Sequence, residues 1–201
     1  MPSIFTSGLR LEKIAPGEQN NTWGDTGNAN LDRIDAGIGW RTVATQDFAS
    51  AQNVVTFAVP PYARRIRIEF QKCLGVIQTS IYLRASYDGG VTYAAGAADY
   101  IFAIQGFTSG NVQQLYGGTS SALIMTQNTM ATNAMPVFGD IDIDVGAQSC
   151  AWRVQGGLAD GSVLMTTGGG IIAHAGVATH ILMGFAGTTM SSGQFKLLAS
   201  A

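Results

Sequence analysis

Two stretches of strict alternation constrain this chain most. Ile66, Ile68 and Phe70 alternate with Arg65, Arg67 and Glu69, and Ile141, Ile143 and Val145 alternate with Asp140, Asp142 and Asp144. Successive side chains on a strand point to opposite faces, so each stretch predicts one buried and one wet face, as antiparallel sheets allow. The texture after Trp40 is uniform: short apolar runs broken by Gly, Ser, Asn and Pro. Strands are predicted at 42–45, 54–59, 65–70, 80–86, 91–93, 100–104, 121–126, 137–145, 151–155, 162–166, 179–186 and 194–198. Pro60-Pro61 ends the second of the longer runs, because neither residue can donate to a ladder. Gly168-Gly169-Gly170 is predicted as a turn. Many short strands with glycine turns indicate an all-β fold, an antiparallel β-sandwich or jelly-roll-like domain. Ile171-Ile172 and Ile181-Leu182-Met183 break the alternation, which predicts burial on both strand faces, in the core or between subunits.

Residues 1–40 read differently. Thr22 can cap a helix with Asp25 in the capping-box position, and Leu31, Ile34 and Ile38 then share one face, opposite Asp32, Arg33 and Asp35. Such a helix is too short to be stable alone, and Gly24, Gly27 and Gly37 weaken it further, so packing must supply its stability. The expected organisation is a short extended and helical N-terminal arm, 1–40, followed by a β-sandwich domain, 41–201. The run Leu9 to Glu18, then Asn21-Thr22-Trp23-Gly24, then Asn28, Asn30, Leu31, Asp32, Ile34 and Asp35, resembles the opening of bacteriophage tail-fibre and related virion proteins. This resemblance covers about the first fifth of the chain. It implies that Thr22, Trp23, Leu31, Ile34 and Ile38 attach the protein to the virus particle; the plainer reading is a helix docked on its own domain. The pattern after Trp40 is similar to the sandwich at the distal end of short phage fibres, and also to capsid decoration proteins. The resemblance therefore implies a homotrimeric, non-enzymatic structural protein of the virion, made in the bacterial cytoplasm. Its partners would be other virion structural proteins and a host surface glycan. A short tail fibre of receptor-binding type is the first expectation and a capsid decoration, cement or head-fibre protein the alternative; a glycan depolymerase is a lesser one.

Composition narrows the partners. Only 12% of residues are charged and the formal net charge is −2, so nothing draws the chain broadly to phosphate backbones. Arg64, Arg65 and Arg67 do cluster, but Arg65 and Arg67 fall on the polar face of a predicted strand. Nucleic acid is not an expected partner. The N-terminus lacks a basic segment followed by an apolar one, and the weakly charged stretch 168–187 is interrupted by Gly170, His174, Gly176 and His180; neither secretion nor membrane insertion is predicted. Cys73 and Cys150 lack metal or dithiol spacing, and buried free thiols are the favoured reading, with a bridge between them left open.

The chemical motifs are few. Ser86-Tyr87-Asp88-Gly89-Gly90-Val91-Thr92-Tyr93 matches an Asp-box, and Ser86, Asp88, Gly90, Thr92 and Tyr93 are read as a structural hairpin in which Asp88 accepts turn amides and the glycines supply positive φ. Asp140, Asp142 and Asp144 invite a calcium reading, yet alternate strand residues lie about 6 to 7 Å apart and cannot converge without a bend. His174 and His180 have no metal-site spacing, and no nucleophile elbow or phosphate loop is present. No catalytic residue, metal or cofactor is assigned. Tyr87, Asn111, Gln113 and Tyr116 are candidate receptor contacts, since aromatic faces with neighbouring amides suit sugars and loops on rigid sandwiches carry recognition.

Overall fold

A computed structural model describes residues 4–5, 12–13, 39–48, 52–77, 79–108, 113–126, 135–157 and 163–201. The chain divides into two compact units, Met1–Arg41 with Ser200–Ala201, and Thr42–Ala199. In the first, β1 (Ile4–Phe5) and β2 (Glu12–Lys13) pair antiparallel. The predicted helix carrying Thr22, Trp23, Leu31, Ile34 and Ile38 lies outside the described residues.

The second unit is a sandwich of two antiparallel sheets, and there is no helix among the described residues. Its strands are β3 (Arg41–Phe48), β4 (Val54–Ala58), β5 (Arg65–Gly75), β6 (Ile81–Ser86), β7 (Tyr100–Thr108), β8 (Gln113–Ser120) and β9 (Leu123–Ile124). They continue with β10 (Val137–Asp144), β11 (Ser149–Gly157), β12 (Val163–Ile172), β13 (His180–Phe185) and β14 (Met190–Ser200). The large sheet runs β3-β14-β5-β10-β11-β12-β7-β8 and the small one β4-β13-β6-β9.

The alternation of β5 and β10 decides how they pack. Ile66 pairs with Ile143 and Ile68 with Ile141 in register, so all four side chains face inward and are fully or almost fully buried. Phe70 follows on the same face and stacks on Phe195 at 5.8 Å, which meets Phe48 edge-on at 5.7 Å. The small sheet supplies Val55, Phe57, Ile81, Leu83, Ile181 and Met183 to the same core. Fully burying a side chain of this size is worth roughly 1.5 to 3 kcal/mol, so the sandwich is held chiefly by this apolar layer. The polar faces meet in register too. Arg67 opposes Asp142 and grips it with both ends of its fork, at 2.7 and 2.8 Å, while Arg153 opposes Asp140 at 3.0 Å. Such half-exposed cross-strand pairs contribute tenths of a kcal/mol to about 1 kcal/mol and chiefly disfavour a slipped register.

Three local expectations need correction. Gly168-Gly169-Gly170 is no turn: all three lie inside β12, which runs to Ile172. Gly168 and Gly170 face inward, and a Cβ on either would collide with Trp152 of β11 or with Leu123 of the small sheet. The glycines give these large side chains room. Val91–Tyr93 forms no strand, because Asp88 holds the Val91 and Thr92 amides in a loop. Conversely, Gln113–Ser120 is a full edge strand, although Gln-Gln-Leu-Tyr-Gly-Gly-Thr-Ser shows no apolar alternation to mark it.

The open question about the cysteines is settled by position. Cys73 pairs with Val137 at the start of β10 and Cys150 with Ile143 near its end. About six residues of strand, roughly 20 Å, separate them, far beyond disulfide reach. Both are free and buried, and burial pushes each thiol up to about 12.

Candidate functional site

The turns that follow β4, β6, β8, β10 and β12 all open at one end of the sandwich, as the antiparallel registers require. The loop after β6 carries the Asp-box. Gly89 and Gly90 adopt φ of 80° and 87°, the left-handed region that disfavours other residues, and Gly90 lies against the His180 ring. The turn brings Ser86 Oγ, Val91 N, Thr92 N and Thr92 Oγ1 onto the Asp88 carboxylate at 2.6 to 3.1 Å. Ser86 Oγ in turn accepts from Gly90 N at 2.9 Å, and Thr179 Oγ1 accepts from Gly89 N at 3.0 Å while donating to Ser86 O. β6 and β7 belong to different sheets, so the motif closes a crossover between layers and is not the hairpin the sequence predicts.

Hydrogen bonds from Thr92 first, then Ser86, hold the Asp88 carboxyl well below the usual carboxylate range. A carboxylate so saturated with donors is a structural acceptor and a poor proton donor. Because its folded pKa is depressed, its contribution is complete above its unfolded value, about 4, and is lost only as pH falls through the lower folded value. The expected NMR titration shows the Asp88 carboxyl carbon still ionised where other exposed aspartates have protonated; an ordinary midpoint would refute this loop geometry.

A second lattice of contacts joins three loops at this end. The Tyr87 ring stacks on His174 with centroids 3.9 Å apart and planes within 13°. Its hydroxyl donates to Gln148 Oε1 at 2.7 Å, and Gln148 Nε2 donates to His174 O at 2.7 Å and to Gly176 O. Gln148 holds a left-handed φ of 52° in the turn between β10 and β11. Burial above all pushes the Tyr87 hydroxyl up to about 12, so it stays a neutral donor at physiological pH. Tyr100 ties the loop to the core. Its buried hydroxyl accepts from Ala85 N at 2.8 Å and donates to Ala94 O at 3.1 Å. Tyr100→Phe strands a buried amide and is expected to cost about 1 to 3 kcal/mol in chemical denaturation.

The candidate receptor contacts do not converge. Tyr87 sits in this loop cluster with one ring face covered by His174, whereas Gln113 begins β8 opposite Phe107, at the other end of the sandwich. Tyr116 lies midway along β8, tilted against Phe102 at 5.7 Å, and Asn111 is outside the described residues. Sequence reasoning passed over Gln148 and the Tyr87–His174 stack, and no local signal marks either, since their partners come from distant loops.

The aspartate stripe is divided among separate tasks. Arg67 holds Asp142, Arg153 holds Asp140, and Asp144 Oδ1 accepts from Ala147 N at 2.7 Å. Asp142 and Asp144 line an outer groove of about 360 Å³ with Arg65, Ser149, Cys150 and Ala151. Hydrolysis of a glycosidic bond needs one carboxyl free to donate a proton beside a second carboxylate. Here the bidentate Arg67 occupies both oxygens of Asp142. Among the described residues no group of three or more His, Cys, Asp or Glu side chains is placed to hold a metal ion, and no helix is long and apolar enough to cross a membrane.

No protein family and no curated protein sequence matches the chain. Among solved structures, peanut lectin with a nine-residue peptide aligns over 83% of this chain and 94% of the lectin chain, with 9% identity and a TM-score of 0.28.

Proposed function

We propose that this chain is a non-enzymatic structural protein of a bacteriophage particle, attached through its N-terminal segment and displaying its β-sandwich, with jelly-roll-like character, as a short tail fibre of receptor-binding type. The observation that carries the reading is the partition of the chain into two compact units. The segment bearing Trp23-Gly24 and Asn-Leu-Asp-x-Ile-Asp falls in Met1–Arg41, a unit separate from Thr42–Ala199, so attachment and display can be performed by different parts. Support for a non-catalytic role comes from the acidic groups. Asp88, Asp140 and Asp142 are each engaged in local structure. A homotrimer is the assembly the resemblance implies.

Capsid decoration is a second reading, and one observation favours it: Tyr87 and Gln113 occupy opposite ends of the sandwich, so the aromatic and amide groups nominated for a glycan form no common platform. Electron microscopy of intact particles labelled with an antibody against residues 41–201 tests both. Tail label supports the fibre, label spread over the head makes this a decoration protein, and unlabelled particles refute the virion assignment. Trp23→Ala is expected to abolish incorporation while leaving the circular dichroism of the sheets unchanged; normal incorporation would sink the attachment role.

A further inference from the structure

The outer face of the large sheet is split into two chemically different halves. Over β5, β10 and β11 it carries Arg65, Arg67, Glu69, Asp140, Asp142 and Arg153. Over β12, β7 and β8 it carries no charge at all. There the registers align Ile171 with Ile101, and Met165 with Phe107, while Leu115 stands beside Gln105; Val163 extends the face at its end. These six side chains are all substantially exposed, from 43% for Val163 to 73% for Leu115. Between the two apolar rows lie the small residues Gly169, Ala103 and Gly117, and beside Leu115 the uncharged polar pair Gln105 and Thr167. The face ends at β8, the edge strand, whose sequence Gln-Gln-Leu-Tyr-Gly-Gly-Thr-Ser has no lysine, proline or charge to block pairing.

We propose that this face, from β12 to the β8 edge, is the surface through which the chain associates with a second copy of itself. Three observations select that occupant. The exposed apolar area of the six side chains is on the order of 600 Å², at the upper limit of what monomers leave bare. With the intervening small residues it approaches the roughly 800 Å² per partner of a stable interface. The absence of charge leaves nothing to recognise an acidic or basic partner, and an apolar face packs against apolar surface of a second copy without any matching of charges. The unprotected edge beside the face is a ready template for pairing with another chain. The same arrangement explains why Ile171 is apolar although it points away from the core that buries Ile172. This assignment goes beyond the virion reading and stands or falls without it, because it is read on the isolated chain.

The test is sedimentation equilibrium of the full chain beside Leu115→Gln and the double variant Leu115→Asp/Met165→Lys, with Thr56→Lys on the small sheet as control. The wild type and the control are expected to be oligomeric at about 10 μM. Leu115→Gln, which removes no core packing, is expected to weaken association at least tenfold, and the double variant to give a monomer with an unchanged circular dichroism spectrum. A monomeric wild type overturns the proposal, as does an oligomer of undiminished affinity in Leu115→Gln. That single variant keeps the test decisive should the double one fail to fold.

Discussion

Gly168→Val is expected to destabilise the sandwich by about 3 kcal/mol or more, because two rigid neighbours occupy the space. A Cβ at this position would stand 2.5 Å from Trp152 Cε2 and 2.6 Å from the Ala103 carbonyl oxygen. The first is a side chain wedged in the core, and the second is backbone of β7, the neighbouring strand in the ladder. In a domain of this size such a loss lowers Tm by roughly 10 °C, readable in a thermal melt. Combining it with Trp152→Leu relieves the first collision and leaves the second, so partial rescue is expected. Full rescue would show that the β12–β7 ladder can yield there, and an unchanged melt for Gly168→Val alone would refute the packing of β12 against Trp152.

Trp152→Ala is expected to cost about 3 to 5 kcal/mol through the lost burial and the void it leaves. Trp152 is 2% exposed, and its indole Nε1 donates to Met125 O at 3.0 Å, where Thr166 Oγ1 also donates at 3.1 Å. The void would lie beside Gly168, which has no side chain to fill it, so the surroundings can collapse little. Urea unfolding should show a lower midpoint with an unchanged slope. Trp152→Phe keeps most of the ring and loses the hydrogen bond, but Thr166 still serves Met125 O; about 1 to 2 kcal/mol is expected. Equal losses for Ala and Phe would mean that the hydrogen bond, and not the volume, is what the site requires.

The two substitutions concern the contact between Trp152 of β11 and Gly168 of β12. The loop end is built otherwise. Asp88 binds amides of its own loop, while Gln148 and Thr179 reach a carbonyl and an amide of other loops, which ties the exposed turns together without adding to the core.

Much of the fold was legible because alternation is a local property. Arg65 to Phe70 and Asp140 to Val145 announce their faces in a few residues each, whereas their antiparallel pairing is seen only in the structure. The hydrogen bonding of the Asp-box is equally local, since Ser86, Asp88 and Thr92 satisfy one another within a single loop, although the hairpin expected around it is a crossover between sheets. What only the tertiary structure decided depends on which surfaces meet. Gly168 to Gly170 look like a turn until Trp152 and Leu123 are seen to need the space. Gln113–Ser120 becomes a strand only because β7 offers it a ladder. Tyr87 finds Gln148 and His174 through loops that begin on different strands. The uncharged face over β12, β7 and β8 emerges only when strand order sets Ile171, Ile101, Met165, Phe107 and Leu115 side by side. Sequence by itself determined which side of a strand is apolar; the order of strands in two sheets decided which apolar sides are covered, because burial is a property of a pair of surfaces and not of one.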